Sequence, residues 1–160
     1  MRSPTESSLR FSTRLLPRVA TALLALGIAV PGASADFRSI AENGTVLYDA
    51  PSARAARLFV ASRYTPVEIV VSIEGWAKVR DPAGDLTWVE KKALSDLRTV
   101  VVTAAVADAR LSPSEQAELA FQVRQGVALE LLEMASGGWV RVRHRDGQTG
   151  FMRMSQLWGL

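Results

Sequence analysis

Gly138-Trp139-Val140-Arg141-Val142-Arg143-His144-Arg145-Asp146-Gly147-Gln148-Thr149-Gly150-Phe151-Met152 has a counterpart earlier in the chain. The earlier copy is Gly75-Trp76-Ala77-Lys78-Val79-Arg80, then a turn through Asp81-Pro82-Ala83-Gly84-Asp85, then Leu86-Thr87-Trp88-Val89. Trp139 to Arg143 and Trp76 to Arg80 alternate strictly, the pattern of a strand with one buried face. Asp81 to Asp85 and Arg145 to Gln148 carry the residues that turns require. Both stretches therefore predict a hairpin.

The match extends outward. Downstream of the glycine–tryptophan pairs the offset is 63 residues, taking Gly84 to Gly147, Trp88 to Phe151 and Leu94 to Leu157. Upstream it is 62, taking Ala50-Pro51-Ser52 to Ser112-Pro113-Ser114, Phe59 to Phe121 and Val67-Glu68-Ile69 to Leu129-Glu130-Leu131. The one added residue falls between Ser72 and Gly75 in the first copy and among Ala135, Ser136 and Gly137 in the second. Both positions read as hairpin turns, where an insertion is tolerated. A register that changes once, and in a turn, marks an internal repeat. Short strands with Gly-rich turns predict an all-β protein of two tandem small barrels, over residues 36–97 and 98–160. Arg98 to Thr103 joins the copies with almost no linker, so the two domains are expected to touch. One segment reads differently: Ser112-Pro113-Ser114-Glu115 has the form of a capping box with proline at the first helical position. It leaves open a short helix or helical turn over 113–120.

Residues 1–35 read as an export signal. Arg2, Arg10, Arg14 and Arg18 stand against Glu6; an apolar run from Val19 to Val30 follows, then Ala33-Ser34-Ala35. This is the order of a secretory signal peptide cleaved after Ala35. The apolar run is well short of the roughly 20 residues that span a bilayer, so no stable membrane anchor is expected after cleavage. The chain has no cysteine, which removes both disulfides and a lipid-modified N-terminal cysteine. It has 19 basic and 16 acidic residues. Subtracting the four bases and one acid of the leader leaves 15 of each in residues 36–160. The basicity belongs to the leader, and a nucleic-acid partner, which needs clustered positive charge, is not expected.

The second copy resembles the bacterial SH3-like (SH3b) domains. In that family a G-W-x-x-V strand leads through a D-G turn to a G-W-V strand, as Gly138 to Met152 does. Ala109-Arg110-Leu111-Ser112-Pro113-Ser114 is similar to the family's V-R-x-x-P-S segment, and Gln125 to Leu132 to its K-G-x-x-V-x-V-L strand. The first copy departs from the pattern at Thr87, which stands where the second has Gly150, and at Tyr48, which stands where it has Arg110; Phe151 replaces the usual second tryptophan. The resemblance implies an open barrel of five or six strands per domain. It also implies recognition of cell wall or of peptides, often as an accessory to a hydrolase.

The candidate ligand-binding residues follow from strand alternation. Trp76, Lys78 and Arg80 share one face and Ala77 and Val79 the other; Trp139, Arg141 and Arg143 lie opposite Val140 and Val142. The valines must face the core, so the tryptophans lie beside cations, towards solvent or the other domain. Trp139, Arg141, Arg143, Trp76 and Arg80 would suit a groove for a peptide or glycan. The other reading is that each tryptophan is a barrel cap covered by stacked arginines. Tyr48, Trp88 and Phe151 are expected in the core, and Trp158 is expected either to close the second barrel or to cover the domain junction. The run Arg141, Arg143, Arg145 with Arg153 nearby is the basic concentration of residues 36–160.

Residues for catalysis are few. A Cys–His hydrolase is excluded, and His144, the single histidine, flanks a turn with no nucleophile elbow beside it. One histidine without cysteine does not make a zinc site. No dinucleotide or phosphate-loop fingerprint is present. Glu115 and Glu118 have helical spacing and nothing else to mark them as a catalytic pair. No catalytic residue, metal or cofactor is expected. The reading is a non-catalytic periplasmic or secreted binding module for cell-wall peptidoglycan or a peptide of an envelope protein. The alternative is a structural or assembly protein whose domain faces are buried in a dimer or complex.

Overall fold

The computed structural model describes residues 35–160; the leader expected at residues 1–35, all but its last residue, lies outside them. Fourteen strands follow in chain order: β1 (Asp36–Ile40), β2 (Thr45–Tyr48), β3 (Arg57–Ala61), β4 (Pro66–Ile73), β5 (Trp76–Arg80), β6 (Leu86–Glu90), β7 (Leu94–Ser95), β8 (Thr99–Val102), β9 (Val106–Arg110), β10 (Leu119–Arg124), β11 (Ala128–Ala135), β12 (Trp139–Arg143), β13 (Thr149–Arg153) and β14 (Leu157–Trp158). They form two seven-stranded sheets with one topology, β3-β2-β6-β5-β4-β1-β7 and β10-β9-β13-β12-β11-β8-β14. The protein is all-β, two SH3-like domains in tandem. Each sheet has seven strands where the resemblance implied five or six, the last of each being the two-residue β7 and β14.

The irregularities repeat as well. The pairing of β4 with β5 slips between Ile69 and Val71, and that of β11 with β12 between Leu131 and Glu133, the same place at an offset of 62. The added residue lies in the turn between these strands. Ile73 pairs with Trp76 across Glu74-Gly75, whereas Ala135 pairs with Trp139 across Ser136-Gly137-Gly138. Gly75 (φ 72°) suffices for the shorter turn; the longer one needs positive φ at both Gly137 and Gly138, 68° and 78°.

Alternation fixes the cores. Leu47, Ala77, Val79 and Val89 with Ile40 and Val67 fill the first; Ala109, Val140, Val142 and Met152 with Val100 and Leu129 fill the second. With Leu47, Thr87, Val89 and Met152 facing inward, period two turns their neighbours Tyr48, Trp88 and Phe151 outward. These three are half-buried on the outer faces and not in the cores where they were expected.

No helix forms over 113–120; a single turn does, the Ala117 N–H donating to the Ser114 carbonyl at 3.2 Å. The N–H of Leu111 donates to the carbonyl of Glu118 (2.9 Å), closing the β9–β10 connection as a cross-strand loop. Ser114 turns its hydroxyl to Gln116 (2.8 Å), and Glu115 is drawn off to Arg153 (2.6 Å), so the box residues have other partners. The first copy makes the equivalent bonds, Asp49 to Ala56 and Ser52 to Ala50, with no capping box at all.

The two domains meet where β1 and β14 approach each other. Trp158 on β14 packs edge-on against Phe37 on β1, ring centroids 5.1 Å apart, so it covers the junction. Arg98 lies over the Phe37 ring at 5.6 Å and donates to the Gly159 carbonyl at 3.0 Å. A Cβ at Gly159 would stand 2.9 Å from the Thr99 carbonyl and 3.2 Å from Pro66 of the first domain, so the backbone there passes too close for a side chain.

Candidate ligand site at the domain junction

Trp139 lies on the strand face expected of it but is covered: it is 3% exposed. Its cross-strand partner Arg153 supplies the cover, the guanidinium 4.2 Å from the ring centroid. Arg153 is fixed there by Glu115 (2.6 Å) and the Gly137 carbonyl (2.9 Å). Arg110 reaches Asp108 at 3.3 Å and the Ala117 carbonyl at 2.8 Å. The charges around this small recess are thus engaged with one another, and Trp139 is a wall capped by an arginine, although that arginine comes from β13 and not from its own strand.

Trp76 differs. It is half-buried and meets Tyr48 edge-to-face at 5.4 Å, so its cover is a ring of its own domain. Trp88 beside it carries Lys78 at 6.0 Å. Tyr48 and Glu90 occupy the places of Arg110 and Arg153, which is why the two tryptophans differ in exposure. Arg80 and Arg143 are equivalent, each paired across the β4–β5 or β11–β12 ladder with a glutamate. Arg80 meets Glu68 at 2.7 Å, and Arg143 takes Glu130 in a fork of bonds at 2.7–3.0 Å. Arg141 is loosely placed, 3.9 Å from Glu133. The five candidates therefore do not converge: Trp139 is sealed, Trp76 and Arg80 lie on the first domain, and Arg141 and Arg143 on the second.

One of them, Arg143, borders a cleft between the domains. The cleft measures about 340 Å³ and is lined by Tyr64 of the first domain and by Leu97, Thr99, Glu130, Arg143 and Arg145 among others. Its size lies at the lower end of small-ligand pockets. His144 also borders it, with Nδ1 2.9 Å from Asp146. The Gln148 backbone N–H, and then His144, hold the Asp146 carboxyl below its ordinary range, so this turn keeps its carboxylate charged. The Thr99 hydroxyl is buried at the junction and has no hydrogen-bond partner among the described residues. Those residues contain no group of three His, Cys, Asp or Glu able to hold a metal.

Tyr64 was not singled out from the sequence. It is the one non-glycine at positive φ among the described residues, at 71°. Its counterpart at an offset of 62 is Gly126, φ 83°. The bonding matches: Tyr64 N–H donates to Ile40 as Gly126 N–H donates to Val102, at 2.9 and 2.8 Å. The fold requires a left-handed residue at this turn, and the first domain places a tyrosine there at a cost of about 1–2 kcal/mol. The signal was present in the repeat, as a glycine aligned with an aromatic.

Residues 41–96 and 104–159 each match the bacterial SH3 domain. The chain belongs to that family. Among curated proteins, none matches it. Of solved structures, this SH3-domain chain is similar to NlpC2 from Trichomonas vaginalis, with 17% identity over 78% of this chain and 48% of that one, at a TM-score of 0.35. It is also similar to an NlpC/P60 family protein from Bacillus cereus ATCC 10987, with 18% identity over 77% and 56%, at a TM-score of 0.36. The chain spans about half the length of these proteins.

Proposed function

We propose that this tandem SH3 protein is an exported, non-catalytic binding module whose ligand, peptidoglycan or a peptide segment of an envelope partner, lodges in the cleft between its domains. The observation that carries the reading is Tyr64. A strained residue persists where the surrounding structure holds it, and such residues gather at ligand sites. The repeat supplies the control, since the same turn closes with glycine in the second domain. Around Tyr64, whose ring carries Arg63 at 4.6 Å, the cleft offers the exposed cation of Arg145 and the edge of the Arg143–Glu130 fork, a set suited to an acidic peptide.

Co-sedimentation of residues 36–160 with purified sacculi at low and high salt tests this. Salt-resistant pelleting that is lost in both Tyr64→Gly and Arg143→Ala is expected for a wall ligand. If the wild type does not pellet, crosslinking in an envelope extract seeks the peptide partner, and Tyr64→Gly must abolish that capture. Binding of either kind that survives both substitutions removes the cleft as the site.

A further inference from the structure

The first sheet ends in a strand with both faces wet. β3 is its edge, and Leu58, Phe59 and Val60 are exposed in succession at 45%, 49% and 70%. A run of three exposed apolar residues on an unpaired edge is something soluble proteins otherwise avoid. The second domain shows that the fold does not require it. There the equivalent β10 buries Val123, and Phe121 packs onto the core. Phe121 lies opposite Ala109, whereas Phe59 lies opposite Leu47, whose larger side chain already occupies that part of the first core. Arg57 on the strand and Arg54 before it are exposed and form no ion pair among the described residues; Arg63 beyond the strand is also exposed and unpaired with an acid, its guanidinium lying over the Tyr64 ring at 4.6 Å.

We propose that the β3 edge is a second docking site, taking an extended apolar segment of a partner protein, flanked by acidic residues, as an added antiparallel or parallel strand. Backbone hydrogen bonds along the edge would give affinity, and the arginines at its ends would select acids. The same cations argue against a second copy of this chain, since pairing β3 with itself gathers arginines from both partners. The register break in the β2–β3 pairing, between Leu47 and Tyr48, limits the usable edge to a short segment. That limit suits one bound peptide rather than an indefinite sheet. The site shares no residue with the cleft, although Arg63 touches Tyr64.

The probes are two synthetic peptides with the same alternating valine–threonine centre, one with aspartate pairs at its ends and one with lysine pairs. Backbone amide exchange of the protein is followed by NMR. With the aspartate peptide at about ten times its Kd, exchange at Phe59 to Ala61 should slow about tenfold. The lysine peptide should leave it unchanged. Val60→Asp, at a site exposed enough to leave the fold intact, and the charge reversal Arg57→Glu should each remove the protection, while Arg143→Ala, in the cleft, should not. Equal protection by both peptides, protection elsewhere than β3, or no protection overturns the proposal. So does a concentration-dependent dimer in sedimentation that involves β3 without peptide.

Discussion

Tyr64 and Trp139 are both aromatic, both near cations, and energetically opposite. At Tyr64 the backbone is unfavourable and the ring is partly open to solvent. Relief of about 1–2 kcal/mol in Tyr64→Gly is offset by about 0.5–1 kcal/mol of added freedom in the unfolded chain. The variant should therefore melt within a few degrees of wild type while losing its ligand, which separates binding from stability. At Trp139 the backbone is relaxed and the ring is almost wholly enclosed. Trp139→Ala should cost about 3–5 kcal/mol, as for other buried aromatics, and lower the thermal midpoint by circular dichroism. A midpoint equal to wild type would show that the Arg153 cover opens in solution. The alternation that placed Trp139 opposite Val140 and Val142 was legible in the sequence. Its burial was not, because the cover comes from Arg153 across the ladder and from Glu115 in a loop, and no spacing rule links these.

At the scale of elements, the repeat was the most readable feature, since a period-two strand and a turn leave local marks. The hairpins of Trp76 and Trp139 form in one register even though Thr87 replaces Gly150. The capping box misled because Leu111 and Glu118 close a hairpin connection, a non-local constraint that overrides a local helix signal; the first copy, lacking the box, was the better guide. The close packing at Gly150 gives a sharp test. A Cβ there would lie 2.9 Å from the Ala109 Cβ and 3.2 Å from the Arg110 carbonyl. Gly150→Val should destabilise the second domain by about 1–3 kcal/mol through overpacking. Chemical denaturation should show an earlier transition, and Gly150→Val with no such effect would mean that β9 and β13 separate freely. The same positions explain why the first domain differs: with Leu47 and Thr87 in place of Ala109 and Gly150, its core is complete without Phe59, and its edge strand is left uncovered.

For the molecule as a whole, Phe37, Arg98, Trp158 and Gly159 couple the domains. The short link predicted contact between them but not its form, since the residues that meet lie 61 positions or more apart in sequence. The cleft was hidden for a related reason: Tyr64 and Arg143 belong to different copies, and neither the alignment of Tyr64 with Gly126 nor the strand alternation of Arg143 says that the two meet. Trp158→Ala should uncouple the halves, splitting a single thermal transition into two and increasing the radius of gyration in solution scattering. A single unchanged transition would place the coupling elsewhere. Phe37 and Trp158 in edge-on contact also mean that β1 and β14, the first and last strands described, come to one spot. Topologically residues 36–160 are close to a ring with one cut. A short bridge from Leu160 to Asp36 would close it, and a new opening at the two-residue Glu74-Gly75 turn would leave every strand pairing in place, so the order in which the strands are synthesised is separable from the structure they reach.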